Sequence, residues 1–309
     1  MESLVSMDDA LTTALRKIGD CAPLDQGDWS ALTTGRDLIS VGVAADEARQ
    51  RHHGDRVTFV QVVDVALENV GAEEPIPDQA GELRLIGRPV TMEAAVGAVR
   101  VLVERAGPVP VTGFALEDLL ELCGHESEQL GQMLSELRQA GLAMVSEVSV
   151  DALAEPEPVF AALGASGVDV ARLTVDSASG AIGQPVLRRV ASWDGVGTVC
   201  HSFAPLPRME PALPSTGYSD LRQVALARLL VDNIRSIQVD WSRYGPKLAQ
   251  VALAFGANDV DAVSAFTPRG QGWRRSPREE IRRNISAAGF TAIRRNGRFE
   301  AAADRGGIS

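Results

Sequence analysis

The chain has 309 residues, 45% of them hydrophobic and 23% charged, enough for one large domain or two modest ones around a sizeable core. A net charge of −11 and a pI near 4.9 argue against attraction to nucleic acid or to an anionic membrane surface, because both present repelling phosphates. No stretch approaches the length of a membrane span, and the N-terminus lacks a signal-like apolar run. Three scattered cysteines (Cys21, Cys123 and Cys200) point to a reducing cytoplasm without a disulfide framework.

The first 55 residues read as helical: Leu11, Leu15 and Ile18 share one face, and a second run from Leu38 stops at Gly54. Arg56 to Val63 is short and β-branched, a strand. The following segment, rich in Pro, Gly and acids, reads as a loop with a short strand near Leu83 to Ile86. A helix with Val96, Val99, Leu102 and Val103 on one face follows, then the extended PVPVTGF. Two helices end at Gly141, and the strand LAMVSEVSV comes next. The remainder alternates again: helix, VDVARLTVDS, a helix after Gly183, GTVCHSFAPL, a proline-rich loop, YSDLRQVALARLLVDN and IRSIQVDW. Strands alternating with helices predict an α/β fold with a parallel sheet, either open or closed into a (β/α) barrel.

In RYGPKLAQVALAFGAND, Pro246 suits a first helical turn, where its missing N–H is harmless, and Gly256 suits the left-handed residue that ends a helix. Asn258, Asp259 and Asp261 follow, placed to line a barrel mouth or simply to turn the chain. Lys17 and Lys247 are the only lysines among 30 basic residues. Lys247 reads as solvated, as an anion-binding group at a helix start, or as a desolvated Schiff-base amine. The pairs Cys200–His201 and Cys123-x-His125 could supply zinc ligands, or be a buried thiol and a hydrogen-bonded imidazole. His52 and His53 end a helix, where positive imidazoles would suit the dipole. SPREEIRRNISAAGF carries Ser276 as N-cap, Pro277 in the first turn, a capping-box Glu279 and a terminating Gly289.

Three stretches in a preserved order carry a family resemblance: GRDLISVGVAADEARQRHHGDRVTFV, LRQAGLAMVSEVSVDAL and the run from Ser215 to Phe290, which includes QVDWSRYGPKLAQVALAFGANDVDA. Together they resemble the radical S-adenosylmethionine enzymes of the futalosine route to menaquinone (aminofutalosine synthase and dehypoxanthine futalosine cyclase) and the related deazaflavin synthases. The resemblance implies a parallel (β/α) barrel over 56–309, truncated or incomplete because the chain is shorter than the family's, with residues 1–55 as a helical segment packed on it. It marks Tyr244, Lys247, Asn258, Asp259 and Asp261 as the matching ligand-side positions. Where the family has Gly-Thr after the last of these, this chain has Ala262-Val263.

The family carries C-x-x-x-C-x-x-C after its first strand, three thiolates for a [4Fe–4S] cluster whose fourth iron takes S-adenosylmethionine. Here that region reads VQVVDVALENVGAEEPIPDQAGELRL, without cysteine. No cluster, no other metal and no cofactor is therefore expected on this chain, and S-adenosylmethionine binding is not favoured. The functions that follow are a cluster-free partner or scaffold of an intact family member, or a self-associating protein; a binding protein or non-radical enzyme for a futalosine-like or aromatic nucleoside ligand; and an active radical enzyme with unusual cluster binding. All are cytoplasmic, with no nucleic acid or membrane partner.

Overall fold

The computed structural model describes residues 7–176, 184–208, 217–266 and 277–302. Helices α1 (Met7–Gly19), α2 (Gln26–Thr34) and α3 (Leu38–His53) precede the first strand. Local chemistry fixes their ends. Asp25 and Asp28 form a reciprocal capping box on α2, Asp37 accepts the Ser40 N–H at the start of α3, and Gly54 ends α3 at φ 60°.

Among the described residues nine parallel strands follow: β1 (Arg56–Ala66), β2 (Glu82–Ile86), β3 (Val111–Ala115), β4 (Met144–Ser149), β5 (Val170–Val175), β6 (Cys200–Pro207), β7 (Ser236–Asp240), β8 (Asp259–Ser264) and β9 (Thr291–Arg294). The first eight pair in chain order and β1 pairs with both β2 and β8, so the ring is closed. The parallel barrel expected from the sequence is present, but the expected incompleteness does not reach its strands. Among the described residues, β1 and β2 are joined by a 3₁₀ turn at Leu67–Asn69 and loop, not by a helix.

Outside the ring lie α4 (Met92–Ala106), α5 (Leu116–Leu122), α6 (Ser127–Gln139), α7 (Pro156–Ser166), α8 (Gln184–Ala191), α9 (Val196–Val199), α10 (Gly217–Leu230), α11 (Trp241–Leu253) and α12 (Pro277–Ala287). Pro156 opens α7 and Gly167 closes it in the left-handed conformation. Pro277 opens α12 as anticipated, whereas the proposed N-cap Ser276 lies outside the described residues. The α11 run contains a break at Gly245 (φ 74°, ψ 166°), so Pro246 does begin a helical turn of its own. The core between ring and helices contains Phe59, Leu83, Val99, Leu102, Leu134, Leu173 and Ile237, all within 1% of complete burial.

The ninth strand was not foreseen. It pairs with Arg56 to Phe59 on the edge of β1 whose other half, Val62 to Ala66, pairs with β2. The chain then passes beneath β2: the Gly297 N–H donates to the Gly81 carbonyl, and a Cβ at Gly81 would come within 2.9 Å of the Arg295 carbonyl. This C-terminal segment closes the floor of the barrel.

Strand β8 is bulged. Between the pairs Phe59–Val260 and Gln61–Val263 it holds one residue more than β1, and Ala262 there adopts φ 56°. A Cβ disfavours that conformation, so Ala262→Gly is expected to stabilise the protein by about 1 kcal/mol. Denaturant melts of the two proteins check this; an unchanged or lower midpoint counts against it.

Candidate functional site

Charged residues recur at alternate positions in otherwise apolar strands: Glu82 and Arg84 in β2, Glu147 in β4, Arg172 in β5, and Asp259 and Asp261 in β8. Alternation puts such residues on one face of the sheet, and in this barrel they meet inside the ring. Arg172 pairs with Asp261 from three strands away, a contact that only the lumen permits.

The pairs form a ladder along the barrel axis. At the floor, Arg295 grips Asp259 with two bonds of 2.7 Å, and Thr58 and Gln238 donate to the same carboxylate. Above it, Arg84 bridges Glu82 at 2.8 Å and Asp261 at 2.9 Å, while Thr112 donates to Glu82 at 2.6 Å. Arg172 joins Asp261 to Glu147. At the mouth, Arg208 joins Glu147 to Glu117 at 2.9 Å and to Asp176 at 2.9 Å.

Electrostatics follow from this geometry. Burial alone would raise the pKa of Asp261, but the guanidiniums of Arg84, Arg172 and Arg295 outweigh it and hold the carboxyl below its ordinary range. Glu147 behaves likewise: burial opposes its charge, Arg172 and Arg208 prevail, and its pKa is lowered. At Glu117 burial wins, and the pKa is raised despite Arg208.

Beside the ladder, on the β5–β7 side, lies a cleft enclosing about 360 Å³, part of it open to solvent. Arg172, Arg208 and Gln238 form part of its polar wall; Leu206, Val239 and Tyr244 form part of the other. The Tyr244 hydroxyl donates to the Pro207 carbonyl, and burial raises its pKa.

The five residues marked in the sequence do not converge. Tyr244 lines the cleft, and Asp261 reaches it only through Arg172. Asp259 belongs to the floor with Arg295. Asn258 staples strand starts together: its Oδ1 accepts from the Ile237 N–H at 2.8 Å and from Arg228, and its Nδ2 donates to Ser236. Lys247 is exposed on α11.

Neither cysteine–histidine pair forms a ligand set. Cys123 is buried beside the Met133 sulfur while His125 is exposed. Cys200 is buried, its thiol pushed up to about 12 by desolvation and by Asp169, whereas His201 bonds Asp169 at 2.9 Å and stacks on Phe299. No group of three or more metal-ligating side chains occurs among the described residues. His52 and His53 also depart from expectation: burial, and the positive charge of Arg228, lower both pKa values, so charged imidazoles are disfavoured at the end of α3.

The ladder residues Glu82, Arg84, Glu117, Glu147, Arg172, Asp176, Arg208 and Arg295 were not anticipated. The legible signal was the two-residue spacing of charges within apolar strands, as in ELRLI and DVDAV.

Residues 206–305 match the family model of the CofH/MqnC C-terminal region. Over its C-terminal third the chain is similar to the CofH/MqnC proteins. The match takes in β7, α11, β8, α12 and β9, hence Tyr244, Asp259, Asp261 and Arg295. Over 81% of its length the chain is 26% identical to the 5-amino-6-(D-ribitylamino)uracil–L-tyrosine 4-hydroxyphenyl transferase of Methanothermobacter thermautotrophicus, covering 86% of that protein. A shorter stretch, 28% of this chain and 24% of the relative, is 34% identical to the aminodeoxyfutalosine synthase of Streptomyces coelicolor. In fold, the chain superposes on methylornithine synthase with a TM-score of 0.62 at 15% identity, over 91% of this chain and 97% of that one. The resemblance drawn from the sequence, to radical S-adenosylmethionine enzymes of the futalosine route and the deazaflavin synthases, therefore holds.

The family implies an iron–sulfur cluster held at the end of the first strand, and the residues present do not fit one. The β1–β2 connection, residues 67–81, offers carboxylates (Glu68, Glu73, Glu74 and Asp78) and no thiol. Soft sulfur donors hold such clusters, and hard oxygen donors are poor substitutes. Cys21, exposed after α1, and the buried Cys123 and Cys200 belong to three separate places in the fold.

Proposed function

We propose that this chain is a cluster-free homologue of the menaquinone and cofactor-biosynthesis enzymes it resembles, working in the cytoplasm as a non-catalytic partner or scaffold of an intact family member. The observation that carries this reading is the donor set at the end of β1, which lacks every thiolate that reductive cleavage of S-adenosylmethionine would need. Support for a partner comes from the strand ends there. Ile86 at the end of β2, Val90 just beyond it and Phe266 just beyond β8 are 43%, 81% and 46% exposed, beside the strand where the chemistry of the family is centred.

Two measurements test this. After anaerobic reconstitution with iron and sulfide, the protein is expected to stay colourless and to release no 5′-deoxyadenosine under strong reductant. Mixed with a complete family member, it is expected to co-elute as a defined complex. Stoichiometric iron with 5′-deoxyadenosine release, or separate elution at micromolar concentration, would overturn the respective half.

The cleft favours a second reading, a binding protein or non-radical enzyme for a small nucleoside-like ligand. Its apolar wall with Tyr244 offers a stacking surface, and Asp240 and Arg243, which lie outside the ladder, offer polar partners. Curated relatives whose names include a ribitylaminouracil and a deoxyfutalosine are consistent with that class. A nucleoside that binds the folded chain must raise its melting temperature, by mass action.

A further inference from the structure

We infer that the lumen of this barrel has become a self-contained structural core, in which the ladder of arginines and carboxylates fills the role that a bound cofactor's polar groups would otherwise play. The inference concerns the lumen and does not depend on the partner role proposed above.

The first support is saturation. Four guanidiniums (Arg84, Arg172, Arg208 and Arg295) bridge six carboxylates among the described residues, each guanidinium lying within 4 Å of at least two of them, while a seventh carboxylate, Asp64 of β1, feels the charges of Arg84 and Arg172 without bridging them. Polar neighbours complete the set: Thr112 serves Glu82, and Thr58 and Gln238 serve Asp259. None of the side-chain nitrogens and oxygens of these ten ionic residues is a buried atom without a partner. A site prepared for a ligand keeps donors or acceptors in reserve; the ladder spends its own internally and leaves Asp64, towards the end of β1, as the carboxylate outside it.

The second support is reach. The ladder runs from the floor to the mouth without a gap, each rung sharing a residue with the next: Asp259–Arg295–Asp261–Arg172–Glu147–Arg208–Asp176. It draws on β2, β4, β5 and β8 and on the segments just after β3, β5, β6 and β9. A ligand passing below the partly exposed Arg208 pairs at the mouth would have to break a buried pair before making its own contacts, and the guanidinium cannot discharge to ease the exchange.

The third support is the anchoring of the floor. Arg295 does not come from the ring but from the segment after β9, where its guanidinium also lies 3.9 Å from the centre of the Phe299 ring, whose plane stacks on His201 at 4.9 Å. The C-terminal segment thus supplies the lowest rung and seals it with aromatic surface.

The test uses the full chain without ligand. Arg172→Met leaves Asp261 and Glu147 without a shared cation, and the melting temperature is expected to fall by on the order of 10 °C. Adding Glu147→Met to Arg172→Met is expected to restore part of that loss, because the pair is then replaced by apolar volume instead of being half broken. S-adenosylmethionine at ~1 mM is expected to move the wild-type melting temperature by less than about 1 °C. Should Arg172→Met not fold, Arg172→Lys and Glu147→Gln provide the same comparison with smaller losses. An Arg172→Met protein as stable as wild type, or a wild-type protein raised several degrees by S-adenosylmethionine, would overturn the inference. Neither result bears on iron content or co-elution, which report on the partner role.

Discussion

Asp261→Asn is expected to lower stability by about 3–5 kcal/mol, a fall in melting temperature of about 10 °C. The side chain is 1% exposed and takes charge from Arg84 and Arg172 in direct contact and from Arg295 at 3.9 Å. Asparagine keeps the shape and removes the charge, so three guanidiniums are left sharing Glu82, Glu147 and Asp259. The pH dependence gives the claim a second, independent readout. The folded pKa of Asp261 lies below its unfolded value of about 3.9, so its contribution is complete above that value and is lost as pH falls through the folded pKa. The stability difference between wild type and Asp261→Asn should therefore be constant from pH 5 upward and should narrow below about pH 4. Urea melts across that range measure it. A substitution effect under about 1 kcal/mol, or a gap that widens in acid, would show that the lumen ions are incidental.

Gly197→Ala is the second large effect. Gly197 lies in the short helix α9, and a Cβ there would come within 1.9 Å of the Asn233 carbonyl oxygen. The obstacle is backbone and is itself held: the Asn233 side chain donates to the carbonyls of Val190 at 2.8 Å and Trp193 at 3.1 Å. Relief would require moving the α10–β7 connection against those bonds. A loss of about 3 kcal/mol is expected, at the upper end for overpacking. The control is Gly131→Ala in α6, where nothing lies within 4 Å of the new methyl group. There alanine should raise stability by about 0.5–1 kcal/mol, through its better helix propensity. Equal responses at the two glycines would contradict the packing described here.

Much of the barrel was readable because its determinants are local. The strands at Arg56, Val111, Val170 and Ser236 announce themselves by β-branched runs, and Gly54, Gly141, Gly256 and Gly289 end helices at positive φ, as their positions suggested. Strand β9 was missed because TAIR has four residues and little apolar weight; it exists by adding to an edge that β1 already presents. The candidate site was less readable. Asn258, Asp259 and Asp261 sit within four residues, yet one staples strand starts, one holds the floor and one centres the ladder. Their neighbours could not separate these roles, since each depends on a partner far away in the chain: Arg84 is 177 residues from Asp261 and Thr58 is 201 from Asp259.

By itself the sequence determined the alternation of strands and helices, the resemblance of its C-terminal third to the CofH/MqnC proteins and the lack of thiols after the first strand, because each is a property of contiguous residues. Only the tertiary structure decided that the ring closes and that its charged residues satisfy one another. Closure brings alternate residues of distant strands onto one interior surface, and which charges meet there depends on strand order and register around the ring, to which short-range pattern is blind.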